Sequence, residues 1–437
     1  MWYVDLYNVL NTINNVILII IGIPFILQFI YMFLFWLPKK TYKKSEKKNR
    51  ICVVIPAHNE GDVIYNTVND LFTKQNYSHD LFDVYVICHN CTDNTKEEAL
   101  RAGALVIEES NPDPKTHIVS YALKTGFSYI LNTGIEYDFF IRLDADNHIN
   151  DEFFNLMNDA YNSGVKIARP YESSINMTQN SFTVACGLYY TFDSRFSSRV
   201  RERLHLDAHV NGPGSMFSYE IIKNIGGYDT VSITEDTEFC FKRMMEGYRC
   251  HYVEDAVVYE DLPSSFADTF NRNKRIASGN IRLLAKFTPK MILKSITQLR
   301  FSYIEQILTY IFNIICVILC TWIPAFYIYS ALFLGLNGIW TNADAAMFGI
   351  NGPGLQQLLI IIGLCLLFLF TFAGIGQGVL LVMLDYKKMG AKKRRELIPG
   401  ALLFPAFTVV YCLTMCIGAF CKPKWNKINR NSNIIKE

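Results

Sequence analysis

Two absences narrow what this chain can be. Neither a GxGxxG nor a Walker pattern occurs in its 437 residues, so a nucleotide bound here cannot rest on a glycine-rich phosphate loop and needs carboxylates and a metal instead. A surplus of charge of either sign is also lacking. The 42 Lys and Arg stand against 40 Asp and Glu, which removes the global reason to expect nucleic acid as a partner. Cysteine is present, 12 in all, but in no disulfide or zinc pattern. Cys316, Cys320, Cys365, Cys412 and Cys416 lie in apolar runs, and Cys88 and Cys91 make one CxxC with no second. Such usage fits reduced thiols and a cytosolic soluble part.

Charge is absent in a further sense. Residues 16–37, 306–343, 355–384 and 397–421 contain no Asp, Glu, Lys, Arg or His. Each run is long enough to cross a bilayer, which takes about 20 apolar residues. A transporter needs ionisable groups along its path, so their absence speaks against transport. Trp36 sits where interfacial aromatics do, Pro24 is tolerable as a kink, and no small-residue cleavage site follows the first run. It reads as an uncleaved anchor, residues 1–38. The basic stretch 39–50 marks a cytoplasmic flank that can touch anionic lipid, or equally a solvated linker. Lys387, Lys388, Lys392, Lys393, Arg394 and Arg395 place the loop after the third run on the cytoplasmic side. The fourth run leaves a conflict. A single crossing sends the tail outside, whereas Lys422, Lys424, Lys427 and Arg430 argue that it stays inside; Pro399 and Pro405 allow a re-entrant or broken segment. Residues 286–300 carry Ile and Leu at helical spacing among Lys290, Lys294 and Arg300, the pattern of a helix lying on a membrane surface. The expected order is thus an anchor, a linker, a soluble domain over 51–285, an interfacial helix, a membrane region over 301–421 and a basic tail over 422–437.

Between the first two apolar runs the pattern is strand, turn, helix, repeated. Ile51-Cys52-Val53-Val54-Ile55-Pro56, Val84-Tyr85-Val86-Ile87 and Leu105-Val106-Ile107 are short apolar strands with helical stretches between them. That argues a mostly parallel, Rossmann-like sheet with helices on both faces. The pivotal stretch is Phe139-Phe140-Ile141-Arg142-Leu143-Asp144-Ala145-Asp146. A buried strand stops and delivers two carboxylates to its carboxyl edge, where open α/β sheets bind ligands. Two hard oxygen donors on a turn suit Mg²⁺ or Mn²⁺ completed by substrate phosphates. The alternative is a surface turn with an Asp capping the helix that begins near Asp151. Asn211-Gly212-Pro213-Gly214 is a turn where backbone can approach a ligand closely. Thr234-Glu235-Asp236 opens a helix; Asp236 is a candidate general base, or the acids merely cap the helix and complement its dipole. Arg272 and Arg275 form a basic cluster able to neutralise a diphosphate leaving group.

In order and spacing these motifs resemble the inverting family 2 glycosyltransferases of GT-A fold. The layout is similar to the membrane-integrated poly-N-acetylglucosamine, hyaluronan and cellulose synthases. The resemblance implies an integral protein of a bacterial-type cell membrane with its catalytic domain cytoplasmic. It implies a nucleotide-sugar donor, UDP-linked, and a Mg²⁺ or Mn²⁺ ion. The acceptor is a growing polysaccharide, or a membrane lipid or other acceptor that receives one sugar, and an oligomer or export subunit is a conceivable partner. Residue by residue, Pro56 and Glu60 look like the donor side of the opening strand and Asp93 like part of the nucleotide loop. Asp144 and Asp146 are similar to the DxD, whose second Asp binds the metal. Gly212 and Gly214 look like the acceptor loop, and Thr234, Glu235 and Asp236 match the TED motif, whose Asp is the base. Two departures stand out. Cys88-His89 replaces an Asp of many relatives, and of the QxxRW motif only Arg275 survives, with Arg272 at the Gln position and Ile276 at the Trp position. The loss of Gln and Trp weakens the case for processive polymerisation.

Overall fold

Ile51–Ala57 (β1) is apolar along its whole length and every residue in it is buried. Such a strand is stable only with cover on both faces, and the fold supplies it. The computed structural model describes residues 2–421; Lys422, Lys424, Lys427 and Arg430 lie outside them. Besides β1 the strands are Phe82–His89 (β2), Leu105–Glu109 (β3), Phe139–Arg142 (β4), His148–Ile149 (β5), Ile167–Ser174 (β6), Ser215–Ser218 (β7) and Cys250–Glu260 (β8). They form one sheet in the order β3-β2-β1-β4-β7-β6-β8-β5. Ile51, Val53 and Ile55 point into a core with Phe139, Ile141 and the helices Ile64–Lys74 and Phe153–Asn162. Cys52 and Val54 point the other way, onto Phe140 and the helices Val119–Asn132 and Glu235–Met245.

The sheet has the expected parallel part and is mixed beyond it. β1, β2, β3 and β4 run parallel, as do β6 and β8. β7 is antiparallel to both β4 and β6, and β5 to β8. A parallel neighbour needs a crossover that packs back along the sheet. β7 is instead entered through the turn at Gly212 and Gly214, with φ of 81° and 68°, and so runs against β4. The result places β4 centrally, with the carboxyl ends of β1, β2 and β4 at one edge.

Four helices are long and apolar enough to cross a membrane: Trp2–Phe33, Ser302–Leu336, Leu355–Asp385 and Arg394–Ala419. The first begins well before residue 16 and includes Asp5. Its early turns meet the loop between the second and third helices, Asn8 Nδ2 donating to the Gly349 carbonyl (2.8 Å) and Asn11 Nδ2 to that of Asn351 (2.6 Å). The opposite ends of the second and third helices are tied to the soluble domain, Glu305 to Arg201 (2.8 Å) and Asp385 to Arg195 (3.1 Å). The helix Ile398–Ala419 behaves differently. Near its start Gly400 packs on Val184, and near its end Gly418 packs on Ala277 and the backbone of Lys274. Ser278 Oγ then donates to the Cys421 carbonyl (2.6 Å). Both ends of this helix rest on the soluble domain.

The separate helix expected over 286–300 is the second half of one helix, Phe266–Gln298, which runs through Pro289 and ends at Leu299 in the left-handed region (φ 49°). Leu283, Leu284, Phe287 and Met291 are buried and carry the helix past the proline, while Leu293 and Ile296 are exposed on its other side.

Candidate active site

β4 ends at Arg142 and the chain turns at once. The Asp144 N–H donates to Asn147 Oδ1 (2.8 Å) and the Asn147 N–H returns to the Asp144 carbonyl (3.1 Å). Asp146 is thereby held at the carboxyl edge of the sheet, only 8% exposed. The capping alternative does not describe this turn, since the helix Phe153–Asn162 has Glu152 at its N-cap with no side-chain cap bond.

Arg142 itself joins the two acidic motifs. It is buried, with its guanidinium 2.9 Å from Asp144 Oδ1 and 3.1 Å from Glu235 Oε1. Burial opposes its charge, but Asp144 and Glu235 outweigh that and its pKa rises. The sequence reading missed this residue. Its signal was a single cation closing an apolar strand two residues before Asp144, hence on the same side of the strand.

The acceptor-loop glycines serve this arrangement. Neither lines the cleft, although Asn211 and Pro213 do. A Cβ on Gly212 would stand 1.7 Å from Arg142 Nη1, and one on Gly214 2.6 Å from the Pro170 side chain. Gly212→Ala is therefore expected to cost about 1–2 kcal/mol from positive φ alone. Displacement of Arg142 adds to that, so thermal denaturation should show a lower midpoint. An unchanged midpoint would mean that the loop relaxes freely.

Thr234 occupies the N-cap of Glu235–Met245 without making a cap bond. Among the described residues its hydroxyl has no partner. Glu235 is pushed up to about 7 by burial, with Arg142 opposing and Asp236 adding. Burial also raises Asp236, against the pull of Arg142 and of the Thr237 N–H, which donates to Asp236 Oδ1 (2.7 Å).

On the β1 side, Pro56 and Glu60 line the same cleft as Asp236. Asp93 does not line it. Its carboxylate accepts from the N–H groups of Gly61 and Thr95, both at 3.1 Å, and so braces the two loops against each other. His89 stands at the altered nucleotide loop with both nitrogens engaged, one with Glu109 (2.9 Å) and one with the Thr116 carbonyl (2.9 Å). Arg272 and Arg275 project from Phe266–Gln298 into the cleft. Arg272 pairs with Glu260 (2.9 Å) and lies over the Tyr190 ring (5.3 Å).

These groups share one cleft of about 950 Å³. Its wall includes Tyr310, Phe312, Tyr411 and Met415 from the apolar helices. The sequence reading also missed Glu172, His209 and Glu260, which lie outside any motif but line the cleft. Burial raises Glu260, against Arg272, and Asp146 and Asp144 raise it further. Among the described residues no group of three or more His, Cys, Asp or Glu is set to hold a metal. Asp144 and Asp146 alone fit a hard cation that takes most of its oxygens from a substrate diphosphate and water.

Comparison with known proteins bears on this site. Residues 139–373 match the profile of glycosyl transferase family group 2. The Probable glycosyltransferase YdaM of Bacillus subtilis is 24% identical over 247 residues, 54% of this chain and 57% of the relative. The chain therefore matches little more than half of that relative's length. The solved mannosyltransferase PcManGT of Pyrobaculum calidifontis, in complex with GDP-Man and Mn²⁺, is similar in fold. Its TM-score is 0.51 at 16% identity, over 89% of this chain and 98% of that one.

Proposed function

Because the chain belongs to glycosyl transferase family group 2, we propose that it moves a sugar, with inversion, from a nucleoside-diphosphate donor to an acceptor that reaches the cleft from the bilayer. The observation that carries this reading is the single cleft, walled both by Asp144, Asp146 and Asp236 and by side chains of the apolar helices. Asp236 takes the proton of an acceptor hydroxyl as its oxygen bonds to the anomeric carbon. The bond from that carbon to the donor phosphate breaks, and the nucleoside diphosphate leaves. Arg275 and Arg272 balance its charge. Asp146, with Asp144, would hold Mg²⁺ or Mn²⁺, which when bound supplies further positive charge to the diphosphate. The donor is UDP-linked by the resemblance to the family. Single-sugar addition is favoured over polymer growth by Arg272, which replaces the Gln of the processive motif and is committed to Glu260.

The test supplies the full chain in detergent with UDP- and GDP-sugars, Mg²⁺ or Mn²⁺ and a membrane lipid extract. Nucleoside diphosphate release and labelled product are measured together. Release that stops with EDTA, and falls by roughly a hundredfold or more in Asp146→Asn, is the expected result. Folded protein that releases nothing from any donor would refute the reading. A ladder of products would replace single addition with polymer growth.

A further inference from the structure

One buried side chain on the cleft wall is only half employed. His209 is 6% exposed and lines the cleft. Among the described residues neither ring nitrogen has a hydrogen bond of normal geometry, and the group beside it able to pair is the Gln306 amide, whose oxygen is likewise open. Gln306 can take one ring nitrogen, which leaves the other without a partner. Buried polar atoms in folded proteins are almost always paired, and a buried orphan calls for a cause. Tyr310, from the apolar helix side, packs edge-on against the imidazole, with ring centroids 4.9 Å apart and planes at 79°.

The surroundings specify what would pair with it. The cations near His209 are already engaged: Arg169 with Asp193 (2.5 Å) and Glu172 (3.1 Å), Arg201 with Glu305 (2.8 Å). Glu172 and Asp193 also line the cleft, so a phosphate there would meet carboxylates first. Burial, and then Arg201, hold the imidazole well below its ordinary pKa and therefore neutral. A neutral imidazole presents one donor and one acceptor. Tyr189 and Tyr190 complete the wall with aromatic surface. Apolar faces with a few placed polar groups are how pockets fix a ligand's orientation.

We propose that His209 is an acceptor-positioning residue, the ring nitrogen that Gln306 does not take pairing with a hydroxyl of a neutral sugar ring that lies among Tyr189, Tyr190 and Tyr310 with another hydroxyl offered to Asp236. The acceptor is then a saccharide, on a lipid or at a glycan end, and not a bare lipid phosphate. This rests on the transfer reaction proposed above.

The probes are dodecyl glycosides of neutral hexoses, the matching free disaccharides and a polyprenyl phosphate, each added to the detergent-solubilised enzyme with its donor. Nucleotide release without acceptor reports donor binding and folding. In His209→Phe the KM for the stimulating glycoside should rise roughly tenfold or more, as when a site loses a hydrogen-bonded substrate hydroxyl. The donor KM and acceptor-free release should stay within about twofold. His209→Gln keeps one donor and one acceptor and should stay within about threefold of wild type in glycoside KM. Stimulation by free disaccharides as well as glycosides supports a glycan end; stimulation by glycosides alone supports a lipid-borne sugar. An unchanged glycoside KM in His209→Phe, stimulation by polyprenyl phosphate alone, or stimulation by no saccharide overturns the assignment. So does a parallel fall in acceptor-free release, which would make the residue structural. A wild type that releases nucleotide from no donor instead removes the transfer reading, and the subsite with it.

Discussion

Asp236→Asn is expected to lower sugar transfer by roughly 10²–10⁴-fold, the contribution of a positioned general base, while leaving nucleotide-sugar binding in place. An amide cannot take the acceptor proton, yet it keeps the size of the carboxylate and the acceptor oxygen that meets the Thr237 N–H. The pH dependence gives a second reading. Transfer needs Asp236 ionised, and burial raises its pKa, with Glu235 beside it pushed up to about 7. The acid limb of kcat/KM should therefore lie above that of an ordinary Asp, near pH ~3.9. Stability runs the opposite way. Both carboxyls bind their protons more tightly folded than unfolded, so their contribution is complete below pH ~4 and is lost as pH rises, that of Glu235 through about 7. A variant with transfer within a few-fold of wild type, or an acid limb at the ordinary carboxylate position, would remove Asp236 from the base role.

Arg142→Met should be strongly destabilising. Methionine fills much of the same space, but Asp144 and Glu235 lose the cation between them. Removing one partner of a buried ion pair typically costs about 3–5 kcal/mol. The variant should unfold at markedly lower denaturant, most severely above about pH 7 where the orphaned Glu235 carboxyl is driven to ionise. Its residual activity should show the acid limb displaced upward, because Arg142 is what holds Glu235 and Asp236 down. Denaturation within about 1 kcal/mol of wild type, well short of the buried-pair cost, would show that water enters the site and screens these charges.

The parts legible in the sequence are those set by near neighbours. The apolar run of β1, the abrupt end of β4 and the Asp144–Asp146 turn can be read because strand periodicity and turn chemistry act over a few residues. The bridge from Arg142 to Glu235 cannot, since it exists only once β4 and the helix Glu235–Met245 are packed together. His209 is silent for the same reason: Asp193 and Arg201 come from the helical stretch before it, but Tyr310 from an apolar helix about a hundred residues on. Asp93 is ambiguous rather than silent. An Asp in a loop after a strand suits ligand binding and loop bracing alike, and here its oxygens are occupied by Gly61 and Thr95. The boundary expected at 286 falls inside one continuous helix, Phe266–Gln298.

The helix Ile398–Ala419 couples the apolar part of the chain to the cleft. Its two ends rest on the domain that carries the cleft, Gly400 on Val184 and Gly418 on Ala277, and between them Tyr411 and Met415 line the cleft. A stretch long and apolar enough to cross a membrane is thus also a wall of the site, and a substitution that shifts this helix alters the shape of the cleft from a distance.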